Sequence, residues 1–228
     1  MEKLNLCYNQ IIDINILEHI NFKKIKILNI SWNQISDINI LEKVDFKELE
    51  KLNLSNNKIS DINILGRLDF KKIKELDLSW NYLSNVNILE KVNFKKLKKL
   101  NLSNNNISDI NVLDKVDFEK LNELNLSKNL ISDINVLDKA NFRELIDLNL
   151  NFNKISDIDV LQRVNFEKLN KLNLSCNKIE DIDVFEKVNF KELKELDLFD
   201  NNINEKENFS LMSKLKKMRI KLNTSKLY

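Results

Sequence analysis

Residues 49–65 read LEKLNLSNNKISDINIL, and almost the whole 228-residue chain restates them. Asn57 stands at the centre of the stretch. The same asparagine returns at Asn9, Asn33, Asn81, Asn105, Asn129, Asn153, Asn177 and Asn201, nine occurrences at a strict 24-residue spacing with no insertion or deletion. A fixed period of this length marks a stack of repeats, each unable to bury its apolar face without its neighbours. The chain is therefore expected to be one continuous array over residues 1–228, with about nine 24-residue repeats and an irregular C-terminal repeat or cap over 202–228.

Working outward from Asn57, the residues before it change character every second place. Leu49, Leu52 and Leu54 are apolar, and the last two alternate with polar neighbours, which is the period of a short strand. After Asn57 the apolar spacing widens to threes and fours, through Ile59, Ile62, Ile64, Leu65 and Leu68 to Phe70, and this predicts one or two helical turns. Ser60-Asp61 precedes that run and recurs in most units, where an N-cap is expected. Phenylalanine then returns in a single phase from Phe22 to Phe190, which predicts an internal spine of stacked rings. Nine buried ladder asparagines need partners, since an unsatisfied buried amide costs on the order of 1–3 kcal/mol. They are expected to bond loop groups of their own and adjacent repeats.

The unit L-x-x-L-x-L-x-x-N, read at Leu49, Leu52, Leu54 and Asn57, resembles the leucine-rich repeat over nearly the whole chain. Its continuation N-x-I-S-D-I-x-x-L is similar to the subclass found in bacterial internalins and in the leucine-rich regulatory subunit of type-1 protein phosphatase. Those families mostly use shorter units than this one. The resemblance implies an α/β solenoid, a right-handed superhelix with a parallel β-sheet on the concave face and short helical or 3-10 turns on the convex face.

Composition narrows the function. The charges nearly cancel, with 37 basic against 35 acidic residues and a net charge of +2. No basic stripe of the kind that binds nucleic acid or an anionic membrane is visible, so no nucleic-acid partner is expected. No run of residues approaches the length of a membrane span. The N-terminus has no signal segment, which points to the cytoplasm. Cys7 and Cys176 lie seven repeats apart, and the single histidine, His19, completes no metal set. With one glycine, Gly66, a glycine-rich phosphate loop cannot be built, and no nucleophile has a base. The chain reads as no enzyme, with no cofactor and no metal.

The ends depart from the pattern. Met1 already stands at the first apolar place of a unit, so the first repeat exposes an apolar edge unless another domain or subunit covers it. After Asn201 the period breaks, and a shortened tenth unit is legible as Leu215, Met218, Ile220 and Asn223.

A stack so uniform writes its binding information in its departures. Lys51, Asn53 and Ser55 are the outward places of one strand, with Asn56 at the strand exit. The Asn53 column, which includes Asp77, is expected to form a ladder between repeats. Opposite charges one period apart, Lys51 with Glu75 and Lys99 with Glu123, are expected to neutralise each other. The Asn56 column holds Tyr8, Trp32, Trp80 and Phe152, four aromatics in nine units, and Ile27 and Phe199 add apolar outward residues. Exposed Trp and Tyr anchor protein interfaces, although they also lie flat over neighbouring repeats. The expected function is a protein-interaction scaffold whose concave face holds a protein partner near Tyr8, Ile27, Trp32, Asp77, Trp80, Phe152 and Phe199. The alternatives are a regulatory subunit of a phosphatase or similar intracellular enzyme, and a structural or adhesion segment of a larger surface protein.

Overall fold

A computed structural model describes residues 1–204, 206–217 and 221–223, of which the side chains of 217 and 221–223 are left aside. Each repeat begins with a three-residue strand: β1 (Lys3–Asn5), β2 (Ile27–Asn29), β3 (Lys51–Asn53), β4 (Glu75–Asp77), β5 (Lys99–Asn101) and β6 (Glu123–Asn125). The series continues with β7 (Asp147–Asn149), β8 (Lys171–Asn173) and β9 (Glu195–Asp197), and ends with β10 (Lys221–Asn223). All ten form one parallel sheet in chain order. The strict period sets the register. Leu52 lies opposite Leu28 on one side and Leu76 on the other, so one column of leucines faces the core along the stack. Main-chain pairing runs on past each strand, with the N–H of Leu54 donating to the Asp77 carbonyl at 2.9 Å and that of Asn56 to the Ser79 carbonyl at 2.9 Å.

Behind the sheet, the Leu49, Leu52, Leu54, Ile59, Ile62 and Leu65 places are filled through the middle repeats by buried aliphatic side chains, with Phe185 at the Leu65 place of the eighth. Each of these contributes roughly 1.5–3 kcal/mol by leaving water. The phenylalanine spine forms as expected. Phe22 to Phe166 are buried, and from Phe22 to Phe118 successive ring centroids lie 5.8, 5.8, 6.0 and 6.3 Å apart. Strands repeat at about 4.8 Å. The spine therefore advances further per repeat than the sheet does, and the stack bends with the sheet inside the curve. Phe190 is only half-buried, at the end where the spine stops.

The convex side carries 3-10 turns of four or five residues, from Asn15–His19 to Asp183–Glu186, in place of longer helices. The Ser-Asp cap takes a different form from the one expected. In the third repeat the cap residue is Ile62, whose side chain caps nothing. Asp61, one place earlier, accepts the Asn63 N–H on its Oδ1 at 2.7 Å. The same i to i+2 bond recurs at Asp37, Asp109, Asp133, Asp157 and Asp181. Asn85, the one amide in this column, makes it too. A carboxylate or amide oxygen thus satisfies the first turn N–H through an Asx turn, and the serine takes no part.

The ladder asparagines do as expected. Asn57 donates from Nδ2 to the carbonyls of Leu54 and Ser55 in its own repeat and to that of Ile30 in the preceding one, at 3.1–3.2 Å. Its Oδ1 accepts the Ile35 N–H of the preceding repeat at 3.0 Å. Asn105, Asn129 and Asn177 repeat the whole pattern. At the first repeat no earlier neighbour exists among the described residues, and Leu4, Leu6 and Ile11 are only partly buried.

The tenth unit departs from its expected register. Helix α1 (Phe209–Lys217) replaces the 3-10 turn, burying Leu211, Met212 and Leu215 against the end of the core. Leu215 is thus a helix residue and not the entry to a strand. β10 pairs with β9 through Leu222 opposite Leu196. Asn223 consequently occupies the Asn53 place, four residues short of the ladder place the sequence assigned to it. The physical reason is reach: a helix advances about 1.5 Å per residue against about 3.3 Å for a strand, so the strand starts late. Met218 and Ile220 lie outside the described residues.

Candidate protein-binding face

The strand-exit place is the most unusual backbone in the molecule. All nine of its occupants have φ between 51° and 57°, in the left-handed region, and none is glycine. Asn56, Asn104 and Asp200 tolerate that conformation; for Tyr, Trp, Phe, Lys and Cys it costs roughly 1–2 kcal/mol each. Parallel pairing imposes it. Trp80, for example, donates its N–H to the Ser103 carbonyl at 2.8 Å, while its own carbonyl accepts the Asn57 N–H from the preceding repeat at 3.2 Å. Both main-chain groups are committed, so the chain turns there whatever the side chain.

That turn throws the side chain outward. Tyr8 is 70% exposed, Trp32 47%, Trp80 54% and Phe152 51%, so all four keep about half or more of their surface in solvent. Each nevertheless contacts another residue of the same column. Tyr8 stacks on Trp32 with centroids 4.8 Å apart and planes 13° from parallel. Lys128, from the same column, holds its Nζ 5.6 Å from the Trp80 ring and 5.5 Å from the Phe152 ring, one ammonium shared by two aromatic faces. These four aromatics make one row along the edge of the concave sheet.

Ile27 and Asp77 lie elsewhere, on the sheet face itself. They line a shallow trough of about 390 Å³ with Lys51, Asn53, Glu75 and Lys99. The trough's charges are largely paired, as the sequence indicated. Lys51 Nζ lies 2.7 Å from Glu75 and Lys99 Nζ 2.6 Å from Glu123. The Glu123 carboxylate holds the Lys99 ammonium above its ordinary range. Asp77 Oδ1 accepts the Ser79 N–H at 3.0 Å and its hydroxyl at 2.6 Å.

Two expectations for this face need correction. The Asn53 column forms no ladder between repeats. Each Oδ1 accepts the N–H two residues on in its own repeat, Asn53 from Ser55 at 2.9 Å and Asn125 from Ser127 at 3.0 Å. The local bond wins because the short Asn or Asp side chain reaches the N–H two residues on in its own chain. Nor is Ser55 an outward residue: it is buried, with Ser31, Ser79, Ser103, Ser127 and Ser175. Phe199 takes this serine place in the ninth repeat, where it is half-buried and five repeats from Trp80. It does not join the row.

The sequence reading missed Tyr82 and Leu130, which are 57% and 41% exposed. Each stands two residues past a strand-exit residue, with a buried ladder asparagine between them (Asn81 and Asn129). Alternation about the ladder asparagine was the available signal. His19 sits exposed at the end of the first convex turn, and Cys7 and Cys176 are free thiols. Among the described residues no three His, Cys, Asp or Glu converge to hold a metal, and no helix is long and apolar enough to cross a membrane.

Comparison with known proteins bears on this geometry. Leucine-rich repeat models match residues 95–139 and 143–187 as paired copies, and residues 48–68 and 23–38 as single repeats, together just over half of the chain. No curated protein matches it by sequence. Among solved structures, the internalin InlF of Listeria monocytogenes superposes with a TM-score of 0.73 at 23% identity, over 96% of this chain and 68% of that one. Internalin C2 of the same bacterium gives 0.65 at 27% identity, over 84% and 77%. The leucine-rich ectodomain of the Arabidopsis thaliana receptor kinase GASSHO1/SCHENGEN3 gives 0.69 at 24% identity, over 89% of this chain and 24% of that one. By its repeats and its sheet, the chain belongs to the leucine-rich repeat family, in an internalin-like fold built of 24-residue units.

Proposed function

We propose that this chain is a non-enzymatic scaffold that holds a protein partner on its concave side, along the row Tyr8, Trp32, Trp80 and Phe152, with Ile27 and Asp77 on the adjoining sheet face. One observation carries the reading. Four large aromatic side chains stand exposed at places where the backbone favours Asn or Gly. They lie beside a trough whose lysines are largely neutralised by their neighbours. Exposed aromatic residues that become desolvated at the centre of an interface are the usual anchors of protein binding. The plant ectodomain of like fold was solved in complex with Casparian strip integrity factor 2, which supports the same class of role.

The test is a selection of random displayed peptides, roughly 12 residues long, on the immobilised full chain and on a Trp32→Ala/Trp80→Ala variant, a length that spans the row. The native chain should enrich binders and the variant should not, with circular dichroism unchanged. Equal enrichment on the two proteins would remove the site assignment.

A further inference from the structure

We propose that the partner seated on this ridge is an extended acidic segment carrying apolar side chains. The inference rests on the scaffold reading and adds the chemistry of what is bound. It starts from the two exposed columns that flank the buried ladder asparagines: the strand-exit residues and the residues two places on. From Tyr8 to Lys178 these columns hold four lysines, Lys58, Lys128, Lys154 and Lys178, and no carboxylate until Asp200. The near-neutral composition of the chain conceals this stripe. Elsewhere several lysines pair with acids one period away, as in Lys72 with Glu48, Lys74 with Glu50 and Lys168 with Glu144. Among the described residues none of the four ridge lysines forms an ion pair. Lys58 donates to the Gln34 amide at 3.0 Å, and Lys128 faces the two rings.

The apolar members of the same columns are Tyr8, Trp32, Trp80, Tyr82, Leu130 and Phe152, all well exposed. Cations and apolar surface thus interleave along one edge. The aspartates that follow three residues later, such as Asp61 and Asp157, border the ridge on its convex side, each with one oxygen already accepting a turn N–H. From Tyr8 to Phe152 the ridge spans six repeats, roughly 29 Å at the usual strand spacing, the length of about nine extended residues.

The ring geometry favours a polypeptide over single-stranded nucleic acid. Stacked bases need open aromatic faces. Here Tyr8 and Trp32 cover a face of each other, and Trp80 and Phe152 each turn a face to the Lys128 ammonium. One face of each of these four rings is thus engaged, and the surface between them is aliphatic side chain and ammonium, which suits Leu or Phe side chains alternating with carboxylates.

Fluorescence anisotropy with the full chain tests this, using three labelled probes of about 12 units, long enough to span the ridge. They are a peptide of Glu, Asp, Leu and Phe, the same peptide with Lys for every acid, and oligothymidylate. The acidic peptide should bind about ten-fold tighter than the basic one, and Lys128→Glu with Lys154→Glu should weaken it about ten-fold, with added salt acting in the same direction. Tyr82→Ala with Leu130→Ala, which leaves the charge intact, should weaken it too. Equal or tighter binding of the basic peptide, tighter binding of oligothymidylate, or indifference to either pair of substitutions overturns the proposal. If these outcomes occur while the peptide selection still depends on Trp32 and Trp80, the scaffold reading stands and only the acidic partner falls.

Discussion

The ring of Tyr8 lies 4.8 Å from that of Trp32 and within 13° of parallel, although both residues sit on left-handed backbone one repeat apart. The 24-residue spacing alone would let each ring point freely into water. The parallel register instead delivers both side chains to the same edge at stacking distance. A double-mutant cycle between Tyr8→Ala and Trp32→Ala should return a coupling of roughly 0.5–1.5 kcal/mol. In a Trp80→Phe background, Tyr8→Ala should also increase iodide quenching of Trp32. Unchanged quenching would mean that the stack is absent in solution.

The ladder makes a harsher prediction. Asn105 donates to the carbonyls of Leu78, Leu102 and Ser103 and accepts the Leu83 N–H. Asn105→Leu leaves the buried Leu83 N–H without an acceptor, while the Leu78, Leu102 and Ser103 carbonyls keep their bonds from Asn81, Asn129 and Trp80, and it should cost about 2–4 kcal/mol, about 1–3 kcal/mol of it for the orphaned donor. Asn105→Asp should be nearly as damaging, because a carboxylate cannot donate to three carbonyls. Urea unfolding and hydrogen exchange at the Leu83 amide would both register the loss.

Relief of the left-handed strain should stabilise. Cys176 has φ 53° and a thiol that burial, with Asp200, raises above its ordinary pKa, so it is a strained residue with little thiolate. Cys176→Gly removes the Cβ penalty of roughly 1–2 kcal/mol and loses about 0.5–1 kcal/mol to unfolded-chain entropy. A melting temperature raised by a few degrees is expected, corresponding to a net gain of about 0.5–1 kcal/mol.

Asp147 supplies a pH dependence. Burial pushes its carboxyl above the ordinary carboxylate range, opposed by Lys171 and reinforced by Glu123. The native state then holds the proton more tightly than the unfolded chain. Stability falls as pH rises from the ordinary value through the raised one, and the cost is fully present above it. Asp147→Asn should therefore raise the melting temperature near pH 7 and leave it unchanged near pH 3, where the native carboxyl is protonated anyway. A variant less stable at neutral pH would contradict this.

Much of this fold is legible in the chain because its determinants are periodic and local. The leucines before Asn57 alternate, the residues after it recur in threes and fours, and the asparagine needs partners that only adjacent repeats can supply. The charge pairs Lys51–Glu75 and Lys99–Glu123 follow from one period of offset between parallel strands. The row of aromatics was visible as a departure from the consensus. Its backbone was not, because Trp, Tyr and Phe are the residue types that argue against a left-handed conformation. The requirement comes from main-chain bonds to the neighbouring repeats, which residue identity does not encode.

The same division holds for the remaining surprises. Asn53 turns its oxygen to Ser55 instead of to the next repeat, because its short side chain reaches the N–H two residues on. Helix α1 delays β10, because helical residues advance less than half as far as extended ones. Lys128 lies between Trp80 and Phe152, residues 72 positions apart in the chain. By itself the sequence determined the period, the core and the ladder, each a matter of which residue recurs at which interval. Only the tertiary structure decided which side chains share the exposed ridge, since that depends on backbone direction at the strand exit and on side-chain reach across repeats.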